Sequence, residues 1–244
     1  MKKTLLLFMA MAAFLNAAAQ SHLQWSTSEV TPGSQTNIFK GMKTDAGGNT
    51  YVINFTQSAA NFWITYRFFA YNNAGVKLWQ YDNDSCFSNC NDMYSEIVPV
   101  NNNGAVFIGT YDDVSSQRQL RIKRIDANGN LVWHTYINNS NLAIFENIKA
   151  DLNNNGQLVI VYSSNGFSSG SGNFNVTQMD LATGNILWQL PIPGNSMQYA
   201  PYVDDLQINS GNDIFISGSG TDSSGSPAKY CVAVSNSGSL IYNI

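Results

Sequence analysis

The chain has 244 residues, a formal net charge of −4, and 11% charged side chains against 44% hydrophobic ones. That thin charge leaves no basic patch to neutralise phosphates and argues against a nucleic-acid binder. The densest basic run, Arg118, Arg121, Lys123 and Arg124, would point to both faces of a strand.

The first element is a leader. MKKTLLLFMAMAAFLNAAAQ joins two lysines to an apolar run from Leu5 to Leu15 and ends on small residues Ala17, Ala18 and Ala19. This is the pattern of a secretory signal peptide over residues 1–20, with cleavage expected after Ala19 or Gln20. A membrane span needs about 20 apolar residues in a row, more than this run supplies. The mature chain, 21–244, is long enough for one large domain and is expected to be secreted: extracellular, at the cell surface or in the periplasm.

From there the chain repeats. Trp25, Trp79, Trp133, Trp188 and Tyr242 follow one another at steps of 54, 54, 55 and 54 residues. Gly75, Gly129, Gly184 and Gly238 each stand four residues before an aromatic, in NNAGVKLW, DANGNLVW, LATGNILW and SNSGSLIY. A second turn word precedes each: DAGGNTYVI, NNNGAVFIG, NNNGQLVIV and NSGNDIFIS. Gly, Asn and Asp tolerate the left-handed backbone that tight hairpins require, so each word reads as strand, turn, strand. A fixed period of this length means stacked supersecondary units, here about 37–83, 92–138, 145–192 and 200–244.

The strands differ within a unit. Tyr51 to Ile53, Val106 to Ile108, Leu158 to Val161 and Ile214 to Ile216 are unbroken apolar runs, as expected of strands covered on both faces. The aromatic strands alternate, placing Leu131, Trp133 and Ile137 on one face, and Ile186, Trp188, Leu190 and Ile192 likewise. The expectation is an all-β chain: a β-propeller of four-stranded antiparallel blades, about four of them plus an N-terminal strand bearing Trp25. A β-sandwich is the alternative, but it does not need an aromatic at the same place in every unit. The sequence stops two residues after Tyr242, so an incomplete ring is expected, with further C-terminal blades or a sorting domain absent.

DAGGNTYVINFT, YRFFAYNNAGVKLWQ and QLRIKRIDANGNLVWHTYI resemble the bacterial β-propeller repeats (SBBP type) of exported surface proteins. Asp180, Thr183, Gly184 and Trp188 are similar to the tryptophan-docking word of pyrroloquinoline-quinone-type propellers. The resemblance implies that Trp25, Trp79, Trp133, Trp188 and Tyr242 dock one blade on another. It does not carry catalysis, because the adjacent cysteine pair of the quinoprotein dehydrogenases is missing.

No catalytic residue is assigned. A nucleophilic triad needs a histidine, and the only two are His22 and His134, the latter read as a polar strand residue. Glu29, Glu96 and Glu146 are the only glutamates, so a paired-carboxylate hydrolase would draw mainly on aspartates. Cys86 and Cys90, in CFSNC, are spaced for a small disulfide in an oxidising compartment, while Cys231 reads as a small core residue. Asp82, Asp84 and Asp92 gather oxygen ligands that suit calcium, without EF-hand spacing. No other cofactor is predicted, and the metal content is left open.

In an up-and-down blade the A-B and C-D turns leave on one side, and the B-C and D-A connections on the other. The latter vary between units, and variable loops on a rigid scaffold are where binding usually resides. Asp82, Asp84, Asp92, Asp112, Asp113 and Tyr199 are the expected contacts for a protein or glycan ligand. The function expected is a non-catalytic binding or structural module; the alternative is an extracellular or periplasmic enzyme of quinoprotein-like or glycan-hydrolysing type.

Overall fold

The computed structural model describes residues 34–58, 64–83, 93–101, 104–112, 118–138, 148–164, 173–193, 202–222 and 224–243. The leader, Trp25, the Cys86–Cys90 pair, Asp84, Asp92, Asp113 and Tyr199 lie outside them.

Every regular element among the described residues is a strand. The first blade is β1 (Ser34–Thr44), β2 (Thr50–Ser58), β3 (Ile64–Tyr71) and β4 (Lys77–Asp82). The second is β5 (Met93–Val100), β6 (Gly104–Asp112), β7 (Arg118–Ile125) and β8 (Leu131–Asn138). The third is β9 (Ile148–Leu152), β10 (Leu158–Ser164), β11 (Asn173–Met179) and β12 (Ile186–Pro193). The fourth is β13 (Tyr202–Ile208), β14 (Ile214–Thr221), β15 (Pro227–Val234) and β16 (Leu240–Asn243). Each is an antiparallel meander in chain order, and the first strands β1, β5, β9 and β13 meet in sequence along the inside of the arc.

The turns explain why the strands reverse where they do. Asp126 Oδ1 accepts the backbone N–H groups of Asn128 and Asn130 at 2.8 and 2.9 Å, and Asn153 and Asn209 repeat the device in other turns. A side chain that satisfies turn donors in this way makes an Asx turn, which competes with extension of the strand.

The core is divided between the blades. Tyr51, Ile53, Phe68 and Trp79 pack on Tyr94, Phe107 and Ile125 between the first and second blades. Ile108, Leu120, Ile122 and Ile137 meet Ile148, Leu158, Ile160 and Met179 between the second and third. Val159, Val161, Val176 and Ile192 meet Ile214, Ile216, Val232 and Val234 between the third and fourth. Of the second strands, β6 and β10 lie between two neighbours and contribute to both cores, which is why their apolar runs are unbroken. Four blades thus share three cores, and among the described residues no comparable core joins the fourth to the first, so the described blades form an arc.

One expectation from alternation fails. A register slip separates Trp133, opposite Arg124, from Leu131, opposite Ile125, leaving Val132 as a bulge. The same slip leaves Leu78, Leu187 and Ile241 unmatched just before Trp79, Trp188 and Tyr242. An inserted residue reverses the side-chain phase on one side of it. Leu131 and Ile186 are therefore on the opposite face from Trp133 and Trp188, and both are exposed. The first strands are bulged as well, at Lys40, Ser95 and Asp204.

Candidate functional site

The residues of the repeated words meet across blade boundaries. Gly129 lies so close to Trp79 that a Cβ on it would sit 2.9 Å from the tryptophan Cβ. At Gly184 an added Cβ would be 2.7 Å from Cδ2 of Trp133. These glycines also have φ of +82° and +74°, so each is required twice, by its backbone and by the ring laid against it. Polar groups fix the ring edge. Trp133 Nε1 donates to Leu181 O at 2.9 Å, Arg124 Nη1 donates to the same carbonyl at 2.8 Å, and Thr135 Oγ1 donates to Gly184 O at 3.1 Å. Trp188 Nε1 donates in the same way to Asn236 O at 3.1 Å. The unit is one blade's tryptophan seated on the next blade's third turn. Tyr242, the corresponding residue of the fourth blade, is 37% exposed, with its hydroxyl 3.8 Å from the Cys231 sulfur.

Basic side chains expected on both faces of β7 divide as follows. Arg124 faces the third blade, while Arg121 and Lys123 are buried on the side toward the first. The Arg121 guanidinium lies 5.4 and 5.6 Å from the rings of Tyr111 and Tyr136, and Lys123 donates to Asn83 and lies over Tyr81. They are internal cross-links. His134 is exposed on the outer strand, in edge contact with Tyr136. Cys231 is a half-buried free thiol rather than a core residue, because it sits on the face of the fourth blade turned away from the third.

Of the expected contact residues, Asp82 lies at the end of β4, where it accepts a bond from Gln80 Nε2 at 2.7 Å and stands 3.3 Å from Arg67 Nε. Asp112 ends β6 opposite Arg118. Both lie at the end of the blades from which the B-C and D-A loops leave.

The charged groups that do converge lie on the inside of the arc. Lys43 Nζ on β1 is 3.7 Å from Glu96 Oε1 on β5, and Lys149 on β9 also acts on Glu96 electrostatically. The Glu96 side chain is 11% exposed. Burial pushes its carboxyl above the ordinary range, the two lysines pull it back, Asp151 adds to the rise, and the balance stays upward. Toward the end with the tight turns an open cavity of about 470 Å³ is lined by Lys43, Thr44, Asp45, Asn49, Asn101 and Asp151, with no aromatic ring. Asp45 is committed to its own turn. It accepts from Asn49 N at 2.8 Å, Asn49 Nδ2 at 2.9 Å and Tyr51 Oη at 3.1 Å, and these bonds hold its carboxyl below the usual range against the burial that would raise it. Sequence reasoning did not single out Lys43, Glu96 or Asp151 as a group, since nothing in their spacing marks the inner strand. Among the described residues no three His, Cys, Asp or Glu side chains are placed to hold a metal ion. No helix among them is long and apolar enough to cross a membrane.

No family model matches this chain, and no curated protein matches it. Solved structures similar to it include an ACO/RPE65 chimera at 12% identity and a TM-score of 0.42, covering 83% of this chain and 47% of that one. MPT-4, a mannose phosphorylase from Leishmania mexicana in complex with phosphate ion, is 12% identical at 0.43, covering 96% and 75%. A variant of Synechocystis apocarotenoid oxygenase is 13% identical at 0.42, covering 86% and 49%. This chain spans about half the length of the chimera and of the oxygenase. All three are sheet-rich chains, and likeness at this level carries no argument about chemistry.

Proposed function

We propose that this chain is an exported, cell-surface or periplasmic propeller module that works by binding rather than by catalysis, of the kind its repeat words resemble. The observation that carries the reading is how the repeated residues are used. The tryptophans and glycines that recur from blade to blade are consumed in seating one blade on the next, so the motif builds a scaffold. Groups that do not recur, on the inside of the arc and at the loop end, are left to meet a protein or glycan ligand. The leader sequence supports export. The test is a screen of residues 21–244 against glycan and protein arrays, with turnover of chromogenic glycosides measured in parallel. Saturable binding without turnover is expected; turnover abolished by Glu96→Gln would contradict it.

Glu96 favours the second reading, a glycan-hydrolysing enzyme, because burial raises its carboxyl above the ordinary range, the direction in which a general acid is tuned. A calcium ion near Asp82, Asp84 and Asp92 belongs with the loop-end ligand reading and is tested by calcium titration of the same chain.

A further inference from the structure

The cavity at the tight-turn end of the arc has one feature that the repeat does not require. Its walls carry unlike charges contributed by non-adjacent blades: the Lys43 ammonium from β1 and the Asp151 carboxylate from β9. Both side chains are exposed. Lys43 is 55% exposed, lines the cavity, and has an ion pair with Glu96 at 3.7 Å that engages one of its three donors. Asp151 accepts a bond through Oδ1 from the Leu152 N–H at 2.8 Å. Asp45, whose oxygens take three bonds from Asn49 and Tyr51, adds a second carboxylate to the same wall as Asp151.

The chemistry of the walls selects a ligand class. A divalent cation is repelled by Lys43, and a simple anion by Asp151. A neutral polyol can hydrogen-bond to both groups but leaves their opposite charges unanswered. A molecule bearing a carboxylate and an ammonium answers both at once, and the volume of about 470 Å³ is in the range of small-molecule sites. We propose that this cavity binds a small zwitterion, the free amino acid or short unblocked peptide, with its carboxylate on Lys43 and its ammonium on Asp151. Asn49, Asn101 and Thr44 supply the polar wall between them. Glu96 is a positioning residue, which acts through Lys43. The assignment rests on the reading of the chain as a binding module and places a ligand at the end opposite to the variable loops.

The experiment is calorimetric titration of residues 21–244 with trialanine, with N-acetyl-trialanine, with trialanine amide and with maltotriose. Trialanine is expected to bind. Capping either terminus should weaken it at least tenfold, as should Lys43→Met or Asp151→Asn, each confirmed by thermal melting to be folded at the titration temperature. Amidation should cost nothing further in Lys43→Met, because the carboxylate then has no partner to lose. Equal binding of the capped peptides, or binding of maltotriose that ignores both substitutions, would overturn the site. If the array screen finds a ligand while trialanine fails to bind, the site is wrong and the module reading stands; if neither binds, both fall.

Discussion

Trp188 rests on Gly238: a Cβ on that glycine would lie 2.8 Å from Cδ2 and 2.9 Å from Cε3 of the indole, and the glycine's φ is +79°. The contact joins the last strand of the third blade to the last turn of the fourth. A tryptophan buries about 150–250 Å², so seating its ring on bare backbone lets two twisted sheets approach without a gap. Gly238→Ala is expected to cost about 1–3 kcal/mol from overpacking, on top of the left-handed backbone. Gly156→Ala is the control. Its φ is +72°, yet nothing lies within 4 Å of its added Cβ, so it should lose only the backbone component, about 1 kcal/mol. Thermal melts of the two variants showing equal losses would contradict the close contact.

Glu96 gives stability a signed dependence on pH. Its carboxyl is raised by burial in the folded chain, so it stabilises the fold below the unfolded pKa and loses that contribution as pH rises through the folded value. Glu96→Gln is therefore expected to melt above the parent at neutral pH, with the difference closing as the solution is acidified below the ordinary glutamate range. Asp45 has the opposite sign. Its lowered carboxyl stabilises the fold above the ordinary aspartate range and loses that as pH falls through the folded value, so Asp45→Asn should lose stability at neutral pH and little in strong acid. Melting curves from pH 3 to 8, about a unit apart, read both variants; a parent that outlasts Glu96→Gln at neutral pH would contradict the first.

Asn212 is the only non-glycine residue with a left-handed backbone among the described residues, at φ 67°. The corresponding turns of the first and third blades have Gly48 and Gly156. The asparagine side chain reaches into the next turn, where its Oδ1 accepts the Asn154 N–H at 2.7 Å, and Asn154 Nδ2 donates to Asn209 O at 2.9 Å. Asn212→Gly relaxes the backbone but removes the Asn154 N–H bond to Oδ1, one of the two hydrogen bonds that join these turns of the third and fourth blades. A net loss of about 0.5–1.5 kcal/mol is expected, the worth of one hydrogen bond. A gain in stability on denaturant unfolding would show that backbone strain outweighs the bond.

Much of the fold was legible in the sequence because its signals are local. The spacing of Trp79, Trp133 and Trp188, the glycine four residues before each, and the apolar runs such as Leu158 to Val161 each depend on a single turn or strand. The bulges at Leu78, Val132, Leu187 and Ile241 were not legible, since an inserted residue is defined by the partner strand, and alternation alone placed Leu131 with Trp133. Cys231 looked like core for the same reason: its neighbours are apolar, and only the arrangement of blades shows that its side of β15 has no blade against it among the described residues. The cavity group was hidden more deeply. Lys43, Glu96 and Asp151 come from three blades, and only the convergence of the inner strands brings them together.

The most direct measurement of the account is a double-mutant cycle on Trp133 and Gly184, followed by unfolding in denaturant. Trp133→Ala alone should cost about 3–5 kcal/mol, as large core truncations do. If the indole is seated on the glycine, removing it opens the space that a methyl group on residue 184 needs. Gly184→Ala should then cost less in the Trp133→Ala background than in the parent, with a coupling of about 1–2 kcal/mol. Additive losses, within about 0.3–0.5 kcal/mol, would mean that the two residues do not meet and that the blades are held by something other than this contact.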